Sequence, residues 1–304
     1  MNYNLDLFGK KMEQIRKNLN LTQKKICELA GIDSVTIRRI ENGKVVPKLD
    51  TLEILSPIYK QDLINLLLKY RFDDYLTFYE IKNRLEFKLD SVEFNTLHNE
   101  FKELNILLLS TKNNYYKVII KQLILFTEAI LLYKNNSDMD NKALNMLIES
   151  LKMTTPRFDL NDYNSFVYSS MEIRILMNIA FILNRLNLKE KYLEIMEFCF
   201  QSTDINDEIY PKLCHNLAGV YRRNKDFEKA LKFSNIGIRV CQEIRNLNGL
   251  NLLYYGKGIA EFHLKKSEYI QSLNVSITLC EALGQNKLKD EIIENCREIF
   301  GIDL

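Results

Sequence analysis

Thr22-Gln23-Lys24-Lys25-Ile26-Cys27-Glu28-Leu29-Ala30-Gly31-Ile32-Asp33-Ser34-Val35-Thr36-Ile37-Arg38-Arg39-Ile40-Glu41-Asn42-Gly43 reads as two short helices joined by a tight turn. The Thr22 hydroxyl can cap the first helix. Ile26, Leu29 and Ala30 fall on one helical face, with Gln23, Lys24, Lys25 and Glu28 elsewhere. Gly31 can end that helix in a left-handed conformation. Asp33 can accept from the free N–H groups of the second helix, and Gly43 stops it. Ile37 and Ile40 are its inward residues. Ser34, Thr36, Arg38, Arg39 and Asn42 make the rest of it too polar to bury. A polar helix held by a Gly turn against an apolar partner is a helix-turn-helix layout.

The surrounding sequence extends this layout. Leu5, Phe8, Met12, Ile15 and Leu19 recur at helical spacing, which predicts a helix over 5–19. Asp50 and Glu53 predict a capping box for a fourth helix whose apolar face is Leu52, Ile54 and Leu55. A fifth helix over 61–70, carrying Leu63, Leu66 and Leu67, is expected to leave the head as a connector. Thr22-Gln23, Leu29-Ala30-Gly31-Ile32, Ile37 and Ile40-Glu41-Asn42-Gly43, followed by Pro47 and Leu52, resemble the Cro/repressor (XRE) family of DNA-binding domains. The resemblance implies an ion pair between Arg16 and Glu41, tying the first helix to the end of the third.

Charge distribution is consistent with a DNA reader. The chain has 304 residues, 46% hydrophobic and 27% charged, with a net charge of only +2. Residues 1–50 nevertheless hold ten Lys and Arg against six Asp and Glu. A basic head on a near-neutral body fits nucleic-acid binding by one end only. Residues at the start of the second motif helix can reach base edges, which nominates Ser34, Val35 and Thr36, with Arg38 or Arg39 for a guanine. Gln23, Lys24, Asn42 and Lys44 are nominated for phosphates. One head offers a single recognition helix, so a homodimer on double-stranded DNA is expected.

From Arg71 onward the pattern is helix, short polar turn, helix. The turns fall at 135–138, 155–157, 187–189, 203–206, 224–226 and 246–249. Segments 75–84 and 92–104 also read as helices. Asn216-Leu217-Ala218-Gly219-Val220-Tyr221, followed by Asp226 to Leu231, superposes on Asn178 to Leu183 at a shift of 38 and on Gly256 to Glu261 at a shift of 40. A period of roughly 34–40 residues signals stacked helical hairpins. With Tyr221 and Ala230 in place, the stretch resembles the tetratricopeptide repeat. That resemblance implies a right-handed superhelix of degenerate hairpins, closed by a helix over 287–300. The expected fold is therefore all-α, with residues 1–70 as a five-helix DNA-binding head and 71–304 as the repeat domain.

At the shift of 38, Arg174 falls on Lys212, Asn178 on Asn216 and Arg185 on Arg223. In tetratricopeptide domains such positions line the concave groove. An Asn amide there offers a donor and an acceptor to a peptide backbone, and Arg or Lys offers charge to a carboxylate. Phe181 and the Tyr254-Tyr255 region would take apolar side chains. The competing reading of the same row is a solvated helix face that happens to repeat.

An XRE head on such a tail resembles the RRNPP group of peptide-sensing regulators, of the Rgg and PlcR type. The resemblance implies a cytoplasmic homodimer and a transcriptional regulator of quorum-sensing type, switched by a short imported signalling peptide. The alternative is an XRE repressor whose tail only dimerises or binds an antirepressor. The six cysteines lack zinc spacing and read as buried free thiols. His98, His215 and His263 are too scattered for a metal site. No catalytic set is visible, so neither an enzyme nor a cofactor is expected. No signal peptide or membrane span is expected either.

Overall fold

The computed structural model describes residues 3–71, 75–90, 96–135, 137–245, 247 and 249–304. Among them every regular element is helical. The first five helices are α1 (Leu5–Asn18), α2 (Gln23–Ala30), α3 (Ser34–Glu41), α4 (Leu49–Tyr59) and α5 (Leu63–Leu68). Next come α6 (Tyr75–Asp90), α7 (His98–Ser110), α8 (Asn114–Asn135) and α9 (Asp140–Lys152). The remainder are α10 (Ser170–Arg185), α11 (Lys189–Ser202), α12 (Tyr210–Arg223), α13 (Phe227–Glu243), α14 (Leu250–His263), α15 (Tyr269–Ala282) and α16 (Asn286–Phe300).

Packing divides the chain into two compact units. One is Met1–Leu85 with His98–Lys117, the other Glu86–Leu97 with Val118–Leu304. The first unit therefore takes in more than the head motif, including most of α6 and all of α7. The helix expected over 92–104 is α7, which runs to Ser110. Residues 91–95 lie outside the described residues, as do Asn136, Asn246 and Asn248 in two of the expected turns.

Phe8, Met12, Ile26, Ile37, Ile40, Leu52, Leu55, Tyr59, Leu63 and Leu67 form one buried core in the head. The expected caps are present. Thr22 accepts from the Lys25 N–H, and Asp33 from the Thr36 N–H. Gly31 and Gly43 take positive φ. Four details differ from expectation. Leu29 is 55% exposed, because an eight-residue helix buries one narrow stripe, here Ile26 with Cys27 and Ala30 partly covered. The Asp50–Glu53 capping box does not form, since α4 starts earlier, at Leu49 after Lys48. Ile54 is exposed, and Tyr59 completes that face instead. Finally, α5 does not leave the head: Leu63 and Leu67 are in its core, and the Tyr70 carbonyl accepts from the Asn4 N–H at 2.8 Å.

In the second unit each helix from α9 to α16 packs on the next, and α12 also packs on α14. This is the neighbour order of stacked hairpins. Close approach depends on small residues. A Cβ at Gly237 would stand 2.5 Å from Leu253 Cδ2 and 2.8 Å from Cys214 Cβ. Ala230 is buried, and Tyr221 stacks on Phe233 with ring centroids 5.4 Å apart. The Cys199 and Cys214 thiols are buried and pushed up to about 12 by that burial, so they act as core groups rather than nucleophiles.

Candidate nucleic-acid interface and repeat groove

The head presents α3 through a buried polar clasp. Glu41, whose side chain is 3% exposed, accepts from Arg16 Nε at 2.6 Å and Nη2 at 3.0 Å. It also accepts from Gln23 Nε2 at 2.6 Å and the Tyr59 hydroxyl at 3.3 Å. Arg16 Nη1 donates to the Leu21 carbonyl at 3.0 Å. Four elements thus meet on one carboxylate. The hydrogen bonds to Glu41 hold the Arg16 guanidinium above its ordinary range, and burial pushes the Tyr59 hydroxyl up. Both donors therefore keep their protons. Nothing in the linear pattern marked Tyr59.

With its inner face fixed by Ile37, Ile40 and Glu41, α3 turns Ser34, Val35, Arg38 and Arg39 outward, all exposed, with Thr36 half-buried. Lys24, Asn42 and Lys44 are exposed around it. The side chains of Lys24, Arg38, Arg39 and Lys44 make no ion pair or hydrogen bond among the described residues. Unpaired cations on a rigid, protruding helix suit an anionic partner. Two nominated residues have other engagements. Gln23 commits one amide hydrogen to Glu41, leaving its second for a phosphate. Thr36 donates its hydroxyl to Asp33 Oδ2 at 2.6 Å. These hydrogen bonds, first from the Thr36 side chain and then from its backbone, hold the Asp33 carboxyl below the usual range.

The repeat row is less free than the sequence suggests. Arg174 pairs with Glu86, Nη1 to Oε1 at 3.3 Å. Arg185 pairs with Asp140 at 2.9 Å and donates to the Tyr133 carbonyl. Both were expected as open positive charge on the groove wall, and the structure neutralises each with a carboxylate distant in sequence. Asn178 Oδ1 accepts from the Tyr133 hydroxyl at 2.9 Å, and its Nδ2 donates to the Arg174 carbonyl. One amide hydrogen and one lone pair remain. Arg223 is exposed, donates to the Tyr192 hydroxyl and stacks over that ring. Lys212 is half-buried and engaged as well. Phe181 packs against Tyr192 with centroids 6.0 Å apart. Of the six polar residues in the row, Asn216 alone has no side-chain partner among the described residues. It is half-buried, open to a ligand but not to bulk solvent on all sides.

The repeat comparison missed Arg222, which has Asn184 and Phe262 at the corresponding places. It lies half-buried beneath Tyr255, its guanidinium carbon 5.3 Å from the ring centroid. Among the described residues no helix is long and apolar enough to cross a membrane.

Residues 12–60 match the family model described as helix-turn-helix. No curated protein matches the chain. Among solved structures, the chain is similar to PlcR of Bacillus thuringiensis in complex with the peptide PapR7 and DNA, at 17% identity and a TM-score of 0.72, over 95% of this chain and 99% of that one. It is also similar to ComR from S. thermophilus in complex with DNA and its signalling peptide, at 15% identity and a TM-score of 0.58, over 97% and 100% of the two chains. The SHP pheromone receptor Rgg2 of Streptococcus dysgalactiae gives 14% identity and a TM-score of 0.58, over 96% and 99%. At these identities the likeness speaks for the fold. Residues 12–60 are a helix-turn-helix domain, and the chain as a whole has the all-helical repeat fold shared by PlcR, ComR and Rgg2.

Proposed function

We propose that this chain is a DNA-binding transcriptional regulator controlled by a short signalling peptide held in the groove of its repeats. One observation carries the DNA half: the buried Arg16–Glu41 clasp fixes α3 so that its unpaired Arg38 and Arg39 face outward. In this reading Ser34, Val35, Thr36 and one of the two arginines read bases, while Gln23, Lys24, Asn42 and Lys44 hold phosphates. Residues 1–70 read DNA and 71–304 sense and dimerise. The protein works in the cytoplasm as a homodimer, and catalysis plays no part. The peptide half is supported by the complexes of PlcR and ComR, each of which holds a peptide and DNA on the same fold.

Asn216 is the residue on which the peptide reading is most cleanly tested. Its amide has no other partner, so Asn216→Ala removes nothing from the free protein. A bound peptide would lose its hydrogen bonds there, at ~1–3 kcal/mol, or roughly ten- to a hundredfold in affinity. Asn178→Ala is a poorer probe, because it also cuts the Tyr133 tie between α8 and α10. The test is a mobility-shift titration of the protein's own upstream DNA, with and without total peptide extract of the source culture. Peptide extract should change wild-type DNA binding, and Asn216→Ala should need roughly ten- to a hundredfold more extract. Both proteins should bind DNA alike without it. A second reading, a tail that only dimerises or binds a protein partner, is favoured by the internal pairing of Arg174 and Arg185. It requires that the extract have no effect on wild type.

A further inference from the structure

Three polar groups in the second unit lack partners, and they cluster where α12, α13 and α14 meet. Arg222, on α12, makes no hydrogen bond or ion pair among the described residues, and no carboxylate there lies near enough to offset its charge. Its nearest compensation is the Tyr255 ring. The Ser234 hydroxyl on α13 is fully buried and unpartnered. His215 Nδ1, one turn or two before Arg222 on α12, is also buried and unpartnered. Arg222 Nη1 and Ser234 Oγ both lie within 4 Å of the point where a Gly256 Cβ would stand, 3.8 and 3.2 Å from it. The missing side chain at Gly256 thus leaves space beside the guanidinium. His263 and Phe300 close the neighbourhood, with His263 stacked on Phe227 at 4.1 Å and edge-on to Phe300 at 5.7 Å.

A desolvated, unpaired cation destabilises a fold unless something binds it. Buried donors and acceptors without partners likewise call for a physical explanation. An unsatisfied guanidinium, a hydroxyl and an imidazole nitrogen beside open space match the needs of a carboxylate, which takes two or more donors on its two oxygens. Burial, then the charge of Arg222, pushes His215 down to about 4, so the ring is neutral and can add an N–H without a second charge.

We infer that Arg222, with Ser234 and His215 beside it, is a carboxylate-binding site inside the repeats, and that the carboxylate it takes belongs to the peptide ligand proposed above. The site rests on the peptide reading for its ligand but on its own geometry for its existence. It replaces Arg174 and Arg185, whose charges are already balanced, as the groove's anion-recognition point. Either a free C-terminus or an acidic side chain supplies the same group.

The experiment uses full-length protein, wild type and Arg222→Met, incubated with randomised heptapeptide mixtures. One mixture has free C-termini, one is C-terminally amidated, and one is amidated and free of Asp and Glu. Retained peptides are counted by mass spectrometry after size exclusion. Wild type should retain carboxylate-bearing peptides roughly tenfold or more over the third mixture, and Arg222→Met should lose that preference. The first two mixtures distinguish terminal from side-chain carboxylates. Without peptide, Arg222→Met should melt about 2–4 °C higher, because an unpaired buried charge has gone. Wild type that retains all three mixtures equally overturns the carboxylate site and leaves the peptide reading standing. Wild type that retains none overturns both. A lower melting temperature for Arg222→Met would make Arg222 a structural residue stacked on Tyr255, and would also overturn the inference.

Discussion

Replacing Arg16 with Met is expected to open the head while leaving the repeats folded. Glu41 is buried, and half of its four printed hydrogen bonds come from Arg16. Without the guanidinium, a carboxylate stays in the core with only the neutral donors Gln23 and Tyr59. Breaking a buried pair from one side typically costs about 3–5 kcal/mol. That is a large share of the ~5–15 kcal/mol that holds a typical domain together. Amide hydrogen exchange in the full chain should therefore accelerate by two to three orders of magnitude over α1 and α3, on the order expected for that loss, and remain unchanged over α10–α16. The double variant Arg16→Met/Glu41→Leu should recover most of the protection, since a well-packed apolar pair can replace an ion pair with little loss. Unchanged exchange in Arg16→Met would mean that Gln23 and Tyr59 suffice to hold Glu41, and that the clasp does not fix α3.

Gly9→Ala is expected to do nearly as much damage, against ordinary helix propensity. Inside an exposed helix, Ala is better than Gly by ~1 kcal/mol. Gly9, however, is where α1 crosses the last turn of α3. A Cβ there would stand 2.3 Å from the Glu41 carbonyl oxygen and 2.7 Å from that of Ile40. These are backbone atoms, so no side-chain rotation relieves the clash. The helices must separate, and separation also pulls Glu41 away from Arg16. A cost near the upper end of the ~1–3 kcal/mol typical of overpacking is expected, with weaker DNA binding at every sequence. Chemical denaturation followed by exchange over α1 measures it. A stabilised Gly9→Ala would show that the two helices do not approach this closely.

Much of the head was legible because its signals are local. Thr22, Asp33, Gly31 and Gly43 each act within three or four residues, and a linear pattern records such distances directly. The Arg16–Glu41 pair came from family resemblance rather than from any local rule. Gly9 was illegible because its reason is an α3 backbone more than thirty residues away. The fate of α5 was misjudged similarly: its Leu stripe predicts burial but not against what, and the head core claims Leu63 and Leu67. In the repeats, superposing segments found the hairpins and their small residues. It also selected residues that recur, and recurrence favours ties between helices as well as ligand contacts. Arg174 and Arg185 proved to be such ties, to Glu86 and Asp140. Arg222 is the opposite case, a residue without counterparts in adjacent repeats.

The central claim, that α3 reads DNA, is most directly tested by selection from a random-sequence duplex library with full-length wild type, Arg39→Ala and Lys44→Ala. Wild type should enrich a motif of two half-sites about one helical turn, or a multiple of it, apart. Arg39→Ala should lose ~1–3 kcal/mol of discrimination at one base pair of each half-site. Lys44→Ala should keep the motif, bind all sequences more weakly, and flatten the salt dependence by about one phosphate contact. Failure of wild type to enrich any motif, or an Arg39→Ala protein with unchanged motif and affinity, would contradict the account.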